Sequence, residues 1–416
     1  MTAASPPSPH EARLDQLAQV AIKVGLRIAR GQELVMTAPL EAVPLARRIT
    51  EQAYRAGASL VTTLYADEQA VLTRFAHAPD ESFDRSTGWL FDGMDRAFRD
   101  GAARLAIRGD DPSLLARQDP DKVSRANRAQ SSAYRPALEL ITDFAINWTI
   151  VPYATPAWAR AVFPDLTPDA AEARLWDAIF SAARTNGPDP FAAWQAHNAA
   201  LHARTAMLND RRYAALRFHG PGTDLNVGLA DRHAWCGGAA PAKNGIVCNP
   251  NIPTEEVFTT PHKDRVDGVV TSTKPLSYMG TLIRDIRMQF EHGRIVAADA
   301  ATGEDVLRRV LATDEGASRL GEVALVPYSS PISKSGLLFF NTLFDENAAS
   351  HIALGQAYSE CFVDSGRRTK EELAALGANT SLIHIDWMIG SSQVDVDGLS
   401  SDGRAEPLMR NGDWVS

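Results

Sequence analysis

A histidine and an aspartate two positions apart, His384 and Asp386, lie in a run of residues that favours a β-strand. Alternate side chains of a strand point to the same face, so this imidazole and this carboxylate lie side by side, while Ile385 and Trp387 face the other way. Imidazole nitrogen and carboxylate oxygen both bind divalent transition metals. The pair can therefore serve as two ligands of one cation. Taken alone, it favours the alternative, a hydrogen-bonded pair that only stabilises the strand.

A second group of polar residues follows the apolar run 337–340. Asp345, Glu346 and His351 lie close together here, among apolar residues. Carboxylates are costly to bury unless a metal or a counter-charge is present, so this segment also predicts a cation site. A solvated loop is the competing interpretation, which the preceding apolar run disfavours.

Two further segments carry carboxylates. Glu322 heads an apolar strand, where a surface glutamate at a strand end is the commoner case. Glu255 and Glu256 follow a proline turn, where acidic residues in the first turn of a helix are the alternative. Together, the segments offer two histidines and several carboxylates, an inventory that matches paired divalent ions.

The first half of the chain has the pattern of a β-α-β scaffold. The predicted helices and strands are helix 11–29, strand 34–36, helix 40–55 and strands 59–65, 103–108 and 148–152. No G-x-G-x-x-G motif follows either of the first two strands, so this unit is interpreted as a scaffold and not as a dinucleotide site. The pattern predicts a doubly wound α/β domain.

The second half has a different pattern. Helical periodicity covers about 167–209, beginning with Thr167 as a cap and Pro168 in the first turn. After residue 212, short alternating segments and the turns 220–223 and 291–293 predict a mainly β (α+β) domain, with a helix near 303–313. We therefore expect a flexible tail at 1–10, an α/β domain with a helical linker at 11–210, and a metal-binding catalytic domain at 211–416.

Composition limits the classes of partner. A chain of 416 residues is long enough for two domains, and its formal net charge of -9 argues against nucleic acid as the main partner. No run of about 18 apolar residues predicts a membrane helix. Three cysteines, an odd number without close pairing, favour a reducing compartment over a disulfide framework. We expect a cytoplasmic protein.

Four motifs, in order, resemble those of the aminopeptidase T and aminopeptidase S family of metallopeptidases. They are residues 253–261, 321–325, 343–355 and 384–390, and segments 220–225 and 271–276 are similar as well. The resemblance spans essentially the whole chain and is densest after residue 210. It implies a metal-dependent aminopeptidase that acts on peptides with a free N-terminus through a water activated by two divalent ions, which are zinc, cobalt, manganese or magnesium. It also implies a homodimer.

The resemblance further implies roles for individual residues. The implied metal ligands are Glu256, Glu322, His351, His384 and Asp386, with Glu346 as a further carboxylate. Glu322 is the implied bridge and also carries a catalytic role, and Tyr358 matches the catalytic tyrosine. A carboxylate that bridges two cations is a poor proton shuttle, so Glu255 or Glu346 is an alternative general base. Glu255 also stays a rival of Glu256 as ligand.

Departures from the family pattern are small, namely Ser350 in place of Cys or Thr and Trp387 in place of Phe. Neither supplies a ligand. Four other histidines lack a partner at ligand spacing and are expected to be structural or exposed: His219, His233, His262 and His292. Two alternative functions stay open at this point: a two-metal hydrolase of another amide or ester, and a non-catalytic metal- or peptide-binding protein.

Overall fold

The computed structural model describes residues 8–278 and 280–415. Its α-helices are α1 (Pro9–Val20), α2 (Val43–Arg55), α3 (Glu68–His77), α4 (Gly88–Arg99), α5 (Pro120–Thr142), α6 (Pro156–Val162), α7 (Pro168–Ala182), α8 (Pro190–Arg211), α9 (Glu304–Leu311), α10 (Pro331–Ser335), α11 (Thr342–Asp345) and α12 (Lys370–Ala375). A π-helical segment, Ala21–Leu26, continues α1. No helix within the described ranges is both long and apolar enough to cross a membrane.

The strands are β1 (Glu33–Pro39), β2 (Leu60–Ala66), β3 (Ala103–Arg108), β4 (Trp148–Pro152), β5 (Ala215–Gly220), β6 (Thr223–Leu229), β7 (Ala240–Pro241), β8 (Val247–Cys248), β9 (Val257–Thr259), β10 (Pro261–Thr271), β11 (Leu276–Tyr278), β12 (Thr281–Ile283), β13 (Arg287–Glu291), β14 (Arg294–Asp299), β15 (Leu320–Leu325), β16 (His351–Gly355), β17 (His384–Met388), β18 (Asp395–Leu399), β19 (Ala405–Arg410) and β20 (Asp413–Trp414). They confirm the strands expected at 103–108 and 148–152.

The chain folds into two compact units. One contains the described residues up to Ala196 together with Ala239–Pro253, and the other contains His197–Gly238 and residues 254–415. No pattern in the sequence predicted that Ala239–Pro253 would belong to the first unit. The expected boundary after residue 210 stays a prediction.

The first unit is built on a parallel four-stranded sheet in the order β2-β1-β3-β4. Val35 of β1 packs on one face with Met94 and Phe98 of α4, and its neighbours Leu34 and Met36 are buried on the other face. Apolar residues on both faces of a parallel strand require cover on both sides. The doubly wound α/β prediction for this half is confirmed.

Two expectations for helices need correction. The single helical stretch expected at 167–209 is two helices, because Gly187 and Pro188 interrupt it and Arg184 adopts the left-handed conformation. Of the expected tail, residues 1–7 lie outside the described residues. Helix α1 already begins at Pro9, since the Ser8 hydroxyl accepts a hydrogen bond from the Glu11 N–H in a capping box.

The second unit is mainly antiparallel β-sheet, as predicted. Its larger sheet has the order β14-β13-β10-β6-β5-β18-β19-β20, and a smaller one has the order β17-β16-β15-β9. Both expected hairpin turns form: Gly222 and Gly293 have φ of +72° and +78°. A Cβ at Gly293 would lie 1.9 Å from the Lys263 carbonyl oxygen, so only glycine fits this turn.

Candidate metal centre

Strand register places four of the predicted ligands on one face of the smaller sheet. Asp386 of β17 pairs with Ala353 of β16, which pairs with Glu322 of β15. His384 and His351 each lie two residues from a member of this row, so they share its face. Glu322 is the third residue of β15, whereas the sequence placed it at the head of the strand. The small side chain of Ala353 lies between two carboxylates and leaves space above the sheet.

The residue directly before strand β9, Glu256, adds a fifth predicted ligand to the same face. Phe258 pairs with Ala324 of β15, the residue that pairs with His351 on its other side. Glu256 precedes Phe258 by two residues and therefore points to the same face. The four-stranded sheet thus brings together carboxylates and imidazoles from four segments that are distant in sequence.

The opposite face of this sheet is apolar. Val323, Ile352 and Trp387 form a cross-strand row, each with no exposed surface, inside the main core of the unit. The expectation that Trp387 faces away from His384 and Asp386 is confirmed. Each strand of this row therefore contributes polar residues to one face and core residues to the other.

Glu322 lies between the two imidazoles. Its Oε1 is 3.6 Å from Nε2 of His351, and its Oε2 is 3.4 Å from Nε2 of His384. Nε2 of His351 is also 3.1 Å from Glu256 Oε2, and Nε2 of His384 is 3.4 Å from Asp386 Oδ1. Two groups of possible metal ligands result, and Glu322 belongs to both.

Backbone carbonyls fix the orientation of both imidazoles. Nδ1 of His351 lies 3.1 Å from the Ala349 carbonyl oxygen, and Nδ1 of His384 lies 2.7 Å from that of Gln356. A carbonyl oxygen only accepts hydrogen bonds, so Nδ1 of each ring carries the proton in these contacts. Nε2 is then the atom directed at the carboxylates, as in a histidine whose outer nitrogen is held for metal binding.

The electrostatics of this face favour a cation. Burial raises the pKa of Glu256. Burial opposes protonation of His351 and His384, but the adjacent carboxylates outweigh it and raise the pKa of both imidazoles. Oδ1 of Asp386 is buried, and none of the described residues donates a hydrogen bond to it. The arrangement stabilises positive charge.

Among the described residues, no lysine or arginine forms an ion pair with the carboxylates of Glu256, Glu322, Glu346 or Asp386. Buried carboxylates are stable only when a counter-charge or a metal compensates them. A mixed set of carboxylate and imidazole donors suits several divalent ions. The residues present therefore fit divalent cations.

The structure separates the two adjacent glutamates. Glu256 faces His351, whereas Oε2 of Glu255 lies 3.9 Å from Nε2 of His197. Glu346 lies outside both ligand groups, although burial and the charges of Glu256 and Asp386 raise its pKa. Glu346 is therefore at the edge of the cluster.

Tyr358 lies beside the cluster. Its ring centroid is 4.6 Å from that of His384 and 6.1 Å from that of Phe258. Burial, followed by the charges of Glu322 and Asp386, raises the pKa of its hydroxyl well above the usual value. The hydroxyl therefore stays protonated and can donate a hydrogen bond.

The remaining histidines do not join either ligand group. His219 and His292 are exposed, and His233 contacts the Ala230 carbonyl oxygen through Nδ1. Sequence reasoning missed His197, whose Nε2 is 2.7 Å from the Thr254 carbonyl oxygen. Its position on a helix far from the other motifs carried no signal of this contact.

The fold and the donor set define a metal-dependent hydrolytic enzyme, with buried carboxylates and imidazoles on one face of a sheet. The chain belongs to the thermophilic metalloprotease (M29) family, whose sequence model matches residues 10–414.

Relatives in this family align over nearly the whole chain. Aminopeptidase T of Thermus thermophilus is 58% identical over 97% of this chain and 98% of that protein. Aminopeptidase AmpS of Bacillus subtilis is 41% identical with the same coverage. The solved structure of wild-type AmpT from Thermus thermophilus superposes with a TM-score of 0.92, at 56% identity, over 97% of this chain and 99% of that chain. The protein is a metal-dependent aminopeptidase, and the expected family and fold class are confirmed.

Proposed function

We propose that the protein releases N-terminal residues from peptides at a centre that holds two divalent cations. One observation carries this proposal: the two oxygens of Glu322 each approach a different imidazole, so one carboxylate belongs to two ligand groups. A carboxylate shared in this way is the bridging ligand that a two-cation centre requires.

The ligands divide between the cations according to these groups. Glu256 and His351 would hold one cation, and the family resemblance adds Glu346, which lies outside both groups, as a further ligand. His384 and Asp386 would hold the other cation, and Glu322 would be shared by the two. The native metal is zinc, cobalt, manganese or magnesium, because mixed oxygen and nitrogen donors accept each of them.

When bound, two cations supply Lewis acidity that lowers the pKa of a water, polarises the scissile carbonyl and anchors the free α-amine of the substrate. Tyr358 donates a hydrogen bond to the oxyanion that develops from that carbonyl, since its raised pKa keeps the hydroxyl protonated. The Nδ1 contacts of His351 and His384 with backbone carbonyls hold both rings in place.

Glu322 carries the catalytic role that the family resemblance implies, and its shared position makes that role a bridging one. A carboxylate bridging two cations is a weak proton acceptor. Of the two alternative bases, Glu346 has a pKa raised by burial and by Glu256 and Asp386, whereas Glu255 is turned towards His197. A carboxylate that binds a cation is a weak proton acceptor, so Glu346 serves as the base only where it is not a ligand, and Glu255 stays the alternative.

The proposal is tested with aminoacyl-nitroanilides and with the same compounds blocked at the α-amine. The metal-free protein is assayed alone and after addition of cobalt, zinc, manganese or magnesium. We expect turnover of the free-amine substrates only, lost with a chelator and restored by metal. Equal turnover of blocked substrates would favour hydrolysis of another amide or ester, and metal binding without any turnover would favour a binding protein.

Two further expectations concern the protein's setting. We propose a cytoplasmic enzyme, because three cysteines, an odd number without close pairing in the sequence, do not suit a disulfide framework, and disulfides are rare in reducing compartments. We also propose a homodimer, as the family resemblance implies. Light scattering of the purified protein would contradict the latter proposal if it gave the mass of a single chain.

A further inference from the structure

A buried asparagine connects two segments that carry carboxylates of the metal centre. Asn347 has no exposed surface, and its Oδ1 accepts a hydrogen bond from the Glu255 N–H at 2.6 Å. Its Nδ2 donates to the Leu343 carbonyl oxygen at 2.9 Å and to Glu346 Oε1 at 3.3 Å. One side chain thus contacts both segments.

These contacts lie on the side of the centre that carries Glu256 and His351. The peptide unit of Glu255 directly precedes Glu256, so fixing its N–H restrains the backbone from which Glu256 reaches His351. The bond to Glu346 orients the further carboxylate of the same cation. The other half is organised differently, because β17 pairs with β16 along its full length and the Gln356 carbonyl oxygen holds His384.

We propose that Asn347 is a positioning residue for the cation held by Glu256 and His351, and that it does not position the cation held by His384 and Asp386. The inference rests on the proposed two-cation centre. An amide is required at this position because one arm accepts a hydrogen bond and the other donates one. Groups that orient metal ligands typically change metal affinity by about 10- to 100-fold when they are removed.

The test is a calorimetric titration of metal-free protein with zinc or cobalt, combined with metal analysis after dialysis. Wild type is compared with Asn347→Ala and with Asp386→Asn, which identifies the binding step that belongs to the second cation. Asn209→Ala is the matched control, because the Asn209 side chain also joins a backbone N–H and a carbonyl, both of Trp235, at 2.8 Å and 3.1 Å. Urea unfolding of each metal-free variant verifies that it is folded.

We expect Asn347→Ala to weaken the metal affinity of one binding step by about 10- to 100-fold. The affinity of the other step, the one that is lost in Asp386→Asn, should stay within about twofold of wild type. The control Asn209→Ala should not show the loss seen in Asn347→Ala. Equal weakening of both steps, no weakening, or the same loss in Asn209→Ala would overturn the inference. If Asn347→Ala does not fold, Asn347→Ser is measured against the same criteria. Binding of only one cation per chain by the wild-type protein would refute the two-cation function itself, and the inference with it.

Discussion

Replacing Glu322 by glutamine removes one negative charge from the centre of the candidate site while keeping the size of the side chain. The carboxylate lies 3.4 Å from Nε2 of His384 and 3.6 Å from Nε2 of His351. At an effective dielectric constant of about 20, a unit positive charge at such a distance interacts with it by about 5 kcal/mol. Glu322→Gln should therefore weaken the binding of both cations, each on the order of 10³-fold or more.

The assay is metal content by mass spectrometry after dialysis against buffers of defined free zinc, with calorimetry for the affinities. Glu256→Gln and Asp386→Asn are the matched controls, since each removes a charge from only one ligand group. Each control should weaken the binding of one cation and retain the binding of the other. If Glu322→Gln keeps one cation with wild-type affinity, Glu322 is not shared and the reasoning from its two oxygens is wrong.

Three further outcomes are expected. Tyr358→Phe should lower kcat by about 10²- to 10³-fold with little change in bound metal, because one donor to the oxyanion is lost; an unchanged kcat would remove the tyrosine from the mechanism. Ala353→Val places two methyl groups between carboxylates of adjacent strands and should abolish metal binding while circular dichroism still reports a folded protein; retained stoichiometry would contradict the space assigned above the sheet. Burial would raise the pKa of Asp314, but hydrogen bonds, first from the Leu382 N–H, lower it. Its contribution to the free energy of unfolding is therefore present above the usual pKa of 3.8 and lost as the pH falls through the lower folded value. Asp314→Asn should flatten this part of the acid unfolding profile, and an unaltered profile would count against the assignment.

Strand alternation made part of the site predictable. The two-residue spacing of His384 and Asp386 requires a common face in any strand, and the structure places their side chains 3.4 Å apart. The apolar character of Trp387 identified the other face, and its complete burial agrees. Local periodicity was sufficient here because the strand satisfies it independently of the rest of the fold.

Other features depend on long-range packing and could not be predicted. Glu255 and Glu256 are identical neighbours, and only the register of β9 against β15 shows that Glu256 faces His351. His197 and Asn347 approach the Glu255 segment from a helix and a turn remote in sequence, so no local pattern indicates them. The break between α7 and α8 does have a local signal, because Gly187 and Pro188 disfavour a continuous helix there.

The two-faced strands of the small sheet also provide a check on folding. A slip of β17 by one residue against β16 would turn Trp387 towards the face that carries the carboxylates and imidazoles and Asp386 into the apolar core, because successive side chains alternate between faces. A slipped chain loses core packing and metal ligands at the same time. A cation that bound only the correctly paired chain would favour that pairing by mass action.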